Sequence, residues 1–138
     1  MAALMKVLVF HGYLLRGTGS NVYNAELAPA LARLGHDVHL LCQDRDAPEL
    51  EWVNSFGQWK DGELEVEELR KPEGEGSVTA YMPDIRGLLP VYVADEYEGF
   101  RVKTFPELTQ AELARYIDTN VAAVSEVCLL YTSDAADE

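Results

Sequence analysis

Six residues between positions 11 and 21 could hold an anion: His11, Arg16, Gly17, Gly19, Ser20 and Asn21. Glycines let backbone N–H groups approach a phosphate closely, because no Cβ stands in the way. Arg16 would add positive charge. Ser20 and Asn21 offer short polar side chains at a helix start, and His11 sits where a strand ends. Each has a plainer job as well. Ser20 is the expected N-cap, since its hydroxyl can accept from an N–H of the first turn. His11 can be a satisfied polar group beside the loop, and Arg16 can simply be solvated. Two phosphate-binding patterns are excluded. Gly17 and Gly19 begin a G-x-G-x-x-G run, but Val22 stands where the third glycine belongs, and no G-K-[ST] follows any glycine loop.

The elements around these residues place them. Residues 4–10 (LMKVLVF) form an almost continuous apolar run, suited to a parallel strand covered on both faces. A helix is expected over about residues 21–34, with Val22, Leu27, Leu31 and Leu34 on one face. Pro29 falls inside it and predicts a kink, at a cost of roughly 3 kcal/mol. Gly35 ends it in the left-handed conformation. Residues 37–42 (DVHLLC) are a second strand. Strand, glycine loop, helix and strand make a βαβ unit, whose crossover should be right-handed. The loop then lies at the carboxyl edge of a parallel sheet, the usual ligand side of an open α/β fold. The helix N-terminus adds a partial positive charge there.

The remainder is less regular. Residues 43–59 read as loop-rich, 63–69 as an exposed edge strand, and 71–76 (KPEGEG) as a turn. Residues 78–82 and 88–93 read as short strands. Thr109 and Glu112 fit a capping box, opening a helix over 110–127. Trp52, Phe56 and Trp59 could stack on a sugar, but covering the core is the commoner use. Tyr81, Tyr92, Tyr97 and Phe100 are read the same way. His36 is a turn residue and His39 a sheet residue; with His11 and Cys42 they lack metal-ligand spacing. The carboxylates of 63–68 and 95–98 are solvated faces.

The 138 residues are enough for one domain, and a 48 % hydrophobic fraction is that of a globular chain. A net charge of −13 repels phosphate backbones and argues against nucleic acid. No apolar run reaches the ~20 residues of a membrane span. No small-residue cleavage site follows residues 4–10, so a cytoplasmic location is expected. Two cysteines make no disulfide framework, and Cys42 reads as a buried thiol.

Residues 128–138 (CLLYTSDAADE) continue no earlier pattern. They resemble the translation of a common transposon sequencing adapter, and a natural acidic tail is the alternative. They carry three acidic residues and no base, leaving −10 on residues 1–127.

The strand KVLVF, the glycine loop, Gly19 to Tyr23 (GSNVY) and the stretch LAPALARLGHDVHLL together resemble the N-terminal domain of family-4-like retaining glycosyltransferases of the GT-B fold. The resemblance is strongest over residues 6–43 and extends more weakly to 127. It implies one Rossmann-like half of a two-domain enzyme, with the acceptor bound mainly on this half and the nucleotide-sugar donor on a missing C-terminal domain. Gly17 and Gly19 would approach the donor diphosphate. Asn21 and Ser20 would bond a phosphate or an acceptor hydroxyl, with Arg16 and His11 beside them. No divalent metal or other cofactor is implied, and the catalytic groups would lie beyond residue 127. The fragment alone should be inactive, poorly soluble, and left with an unpaired sheet edge. A stand-alone Rossmann-like binder of sugar phosphates or nucleotides is the main alternative; an oxidoreductase domain is a third.

Overall fold

The computed structural model of the protein describes residues 5–17, 19–93 and 95–136, with side chains to residue 130. Leu4, at the start of the expected first strand, and Asp137 and Glu138 of the tail lie outside the described residues. The chain divides into two compact units, Met1–Pro83 and Asp84–Glu138.

The first unit is a mixed α/β layer. Its elements are β1 (Lys6–Phe10), α1 (Ser20–Arg33), β2 (Asp37–Leu41), β3 (Ser55–Lys60), β4 (Glu63–Glu68) and β5 (Ser77–Met82). A 3₁₀ turn, Ala47–Glu49, precedes β3. The strands form one sheet in the order β1-β2-β5-β3-β4. All pairs are parallel except β3 with β4. The βαβ unit is thus present, and the sheet is mostly parallel and Rossmann-like in its central strands.

Alternate residues of the strands turn to opposite faces. On one face Val38, Leu40 and Cys42 join Phe56, Val78 and Ala80 beneath Ala28 of α1 and Leu15 of the loop. A fully buried Val or Leu contributes about 1.5–3 kcal/mol. Several such residues outweigh the roughly 3 kcal/mol penalty of one helical proline. Accordingly α1 runs unbroken through Pro29, which is itself buried. Its end is a Schellman motif: Gly35 N–H donates to Ala32 C=O (2.9 Å) and His36 N–H to Leu31 C=O (3.2 Å). Gly35 has φ 97°, as expected for the left-handed terminator.

On the other face a buried polar chain links β2 to β5. Tyr81 Oη lies 2.8 Å from His39 Nδ1. His39 Nε2 makes a 3.2 Å contact with Asp37 Oδ2. Burial pushes the Asp37 carboxyl up, but His39, the Ser77 hydroxyl and Lys6 together hold it below the usual carboxylate range. Tyr81 is fully buried. Its ring lies over Gly57 of β3, where an added Cβ would stand 2.7 Å from Cδ1.

Two sequence expectations change here. β1 is not covered on both faces: it is the outer strand, with Phe10 47 % exposed. A continuous apolar run reports β propensity, and strand order decides burial. The stretch 43–59 is not merely loop, since β3 begins at Ser55 and carries Phe56 and Trp59. The overlooked signal was Asp61-Gly62, with φ 52° and 81°, a type I′ turn joining β3 to β4 with Lys60 opposite Glu63. β4 is the edge strand expected.

The second unit holds β6 (Leu88–Val91), β7 (Arg101–Thr104), a 3₁₀ turn (Phe105–Glu107) and α2 (Gln110–Ala136). β6 and β7 form a two-stranded parallel sheet; β7 was not anticipated from its short, charged sequence. The capping box at α2 is present: Thr109 N–H donates to Glu112 Oε1 (2.9 Å) and Glu112 N–H to Thr109 Oγ1 (3.0 Å). These bonds, led by the Thr109 backbone, and Lys103 hold the Glu112 carboxyl below its usual range. Lys103 Nζ, 2.9 Å away, also ties β7 to the helix. α2 runs nine residues past the expected end at Val127. The extension contains neither proline nor glycine, so nothing local stops propagation. No helix among the described residues is long and apolar enough to cross a membrane.

Two measurements follow from this packing. Gly76 lies where a Cβ would fall 1.9 Å from the Ala32 carbonyl oxygen and 2.8 Å from that of His36. Backbone cannot swing aside like a side chain, so Gly76→Ala should destabilise the fold by about 3 kcal/mol, the upper end for overpacking, in urea denaturation. Burial pushes the Cys42 thiol up to about 12, whereas Cys128 is exposed. An aromatic disulfide reagent at pH 8 should therefore titrate one thiol per native chain and two after denaturation.

Candidate functional site

The carboxyl ends of β1 and β2 lead into residues 11–17 and 42–46, which are hydrogen-bonded to each other. The β1–β2 ladder runs one residue past the strands, with His11 N–H donating to Leu41 C=O (2.9 Å). Gln43 N–H then donates to Tyr13 C=O (2.8 Å), fastening the first loop to the second.

His11 is buried, and both ring nitrogens are engaged within the unit. Nε2 faces two acceptors, Leu14 C=O at 2.9 Å and Asn21 Oδ1 at 3.0 Å. Nδ1 faces the Asn24 amide nitrogen at 3.3 Å. The same amide donates to Ser20 C=O at 2.8 Å, which fixes its orientation. The partner set is that of the Nε2–H tautomer. Asn21 is used equally fully, its Nδ2 donating to Arg16 C=O at 2.9 Å. His11, Asn21 and Asn24 therefore staple the glycine loop to the first turn of α1.

Arg16 is exposed but not solitary. Its Nη1 is 2.7 Å from Asp46 Oδ2, and its Nε is 4.0 Å from Asp44 Oδ2. Asp44 is buried and accepts the Leu15 N–H (3.0 Å) and the Asp46 N–H (2.9 Å). The charge of Arg16 is thus met by carboxylates of the second loop.

The helix start differs from the expected one. Ser20 is not the N-cap: α1 begins at Ser20 and Gly19 is the cap, with no side-chain cap bond. The reason is conformational. Gly19 has φ 60° and ψ −131°, a region open to glycine, and this turn carries the chain into the helix one residue earlier. The first intrahelical bond joins Tyr23 N–H to Gly19 C=O (3.1 Å). Among the described residues no side chain caps this first turn. An added Cβ on Gly19 would meet nothing within 4 Å among the described residues. Gly17, φ 103°, makes the preceding turn.

The structure thus brings His11, Arg16, Gly17, Gly19, Ser20 and Asn21 into one loop and helix start. It also adds residues that sequence reasoning passed over. Asn24 was readable as a polar residue one turn beyond Asn21. Asp44 and Asp46 were readable as acids directly following the apolar run of β2. Chemically the arrangement offers backbone donors and a helix dipole to an anion. Its polar side chains hold the loop, and none among His11, Asn21 and Arg16 is spare. The histidines and Cys42 are not gathered: His39 lies mid-strand, and among the described residues no three metal-ligating groups stand together.

This staple has a direct test. Asn24→Ala leaves His11 Nδ1 buried without a donor, and the fold should lose about 1–3 kcal/mol in chemical denaturation. Long-range proton–nitrogen NMR of the unmodified chain should show the Nε2–H pattern for His11.

Compared with models of protein families, with curated proteins and with solved structures, the chain matches none.

Proposed function

We propose that residues 1–127 are the acceptor-side half of a retaining glycosyltransferase of the GT-B type, and that residues 128–138 are foreign to it. The carrying observation is the N-terminus of α1, entered through Gly19 with no side-chain cap bond, at the carboxyl edge of a mostly parallel sheet. A sugar–diphosphate donor develops negative charge on its leaving group as the glycosidic bond breaks. Backbone N–H groups already oriented toward that charge stabilise it without reorganising. Gly17 and Gly19 let the diphosphate come close, and the His11–Asn21–Asn24 staple keeps the loop from collapsing into the space. The position of β1 supports the same reading. An apolar parallel strand left at the sheet edge, with Met5 and Phe10 exposed, suits a sheet whose next strand is supplied by further chain. The sequence likeness over residues 6–43 supplies the family.

One observation favours a second reading. With His11, Asn21 and Arg16 all committed to the loop, what remains is a backbone anion site without a spare acid or base. That suits a stand-alone binder of sugar phosphates or nucleotides.

A long sequencing read through the locus past the Val127 codon separates the two. The proposal expects the frame to continue into a second Rossmann-like domain, and expects the 138-residue chain alone to turn over no nucleotide sugar. A genome that itself encodes CLLYTSDAADE followed by a stop would overturn it in favour of the binder.

A further inference from the structure

A recess lies at the end of the same sheet opposite the glycine loop. It occupies about 750 Å³ between the last turn of α1 and the segments before β3 and β5. That volume falls within the range of small-molecule sites. Its walls are held by three independent devices. Arg70 donates to the carbonyls of Pro48 (2.9 Å), Leu50 (2.7 Å) and Val53. Asn54 Oδ1 accepts the Val78 N–H at 2.8 Å. Gly76 sits directly against the backbone of Ala32.

The lining combines Trp52 with cations and carboxylates, among them Arg33, Lys71, Glu51 and Glu73. These four charged side chains enter no ion pair among the described residues. A cleft for an anion would not be lined by Glu51 and Glu73, and one for a cation would not be lined by Arg33 and Lys71. A neutral ligand bearing many hydroxyls uses both kinds at once, donating to the carboxylates and accepting from the guanidinium and ammonium. Trp52, half-buried and packed on the core from behind, adds a flat apolar surface suited to the C–H face of a pyranose ring.

We infer that this cleft is a binding site for a short neutral oligosaccharide, stacked on Trp52 and hydrogen-bonded by Arg33, Lys71, Glu51 and Glu73. It is separate from the α1 N-terminus and does not rest on the transferase reading. A site of this kind would hold a glycan chain on the protein away from any reacting end.

The test uses the 138-residue chain carrying Trp59→Phe, so that Trp52 alone reports. Maltotriose and cellotriose are titrated while tryptophan emission is followed, with inorganic phosphate as the competing chemistry. At least one trisaccharide should give a saturable change that phosphate neither produces nor abolishes. Arg33→Ala and Glu51→Gln, both at exposed positions, should each weaken it about fivefold, the worth of one hydrogen bond, while leaving the denaturation midpoint in place. Absence of a saturable response to either sugar, a response to phosphate instead, or binding unaffected by both variants would overturn the inference.

Discussion

Everything in the first unit hangs on β2. Its five residues are paired on both sides, to β1 and to β5, in continuous parallel register. Parallel neighbours cannot be joined by a tight turn, so the chain must leave the sheet and return each time. That requirement creates α1, with the glycine loop at one end of it and the recess at the other. The same strand divides the interior. Val38 and Leu40 make an apolar layer under α1, while His39 bridges Asp37 and Tyr81 on the reverse face. A register slip of one residue would exchange these layers, setting imidazole and carboxylate against α1. The apolar and polar faces therefore enforce each other's alignment.

The glycine loop shows what such a frame allows. Side chains that looked available for binding in the sequence are consumed in holding shape. His11, Asn21 and Asn24 close a ring of hydrogen bonds around the loop, and Asp44 with Asp46 neutralises Arg16. The donors left facing outward are peptide groups, whose directions are set by the helix and do not wander. Among the described residues this leaves backbone N–H groups, and no unpaired side-chain cation, at the start of α1.

Much of this was readable beforehand, and the reasons are local. β1, α1, β2 and the Gly35 stop carry strong patterns within a few residues of one another, and the Thr109–Glu112 box is a four-residue signal. What escaped was either non-local or dependent on one atom. Phe10 is exposed because of strand order, which no run of valines encodes. β3 owes its place to β5, more than twenty residues later in the chain, and to Gly57 making room for Tyr81. The cap moved from Ser20 to Gly19 through a backbone angle, against a side-chain preference worth only about 1 kcal/mol. The committed state of His11 depended on Asn24, a contact of thirteen residues' separation.

The hairpin turn has a consequence on a slower clock. Asp61 is followed by Gly62, whose backbone nitrogen has no neighbouring side chain to shield it, and the pair stands exposed between β3 and β4. An aspartyl carboxyl in that setting can be attacked by the next amide to form a cyclic imide, which reopens mainly to isoaspartate with one extra atom in the main chain. The lengthened turn no longer matches Lys60 to Glu63, so β4 would lose its alignment first. Because β4 is an edge strand, stored samples would age at the hairpin while the parallel strands behind it kept their shape.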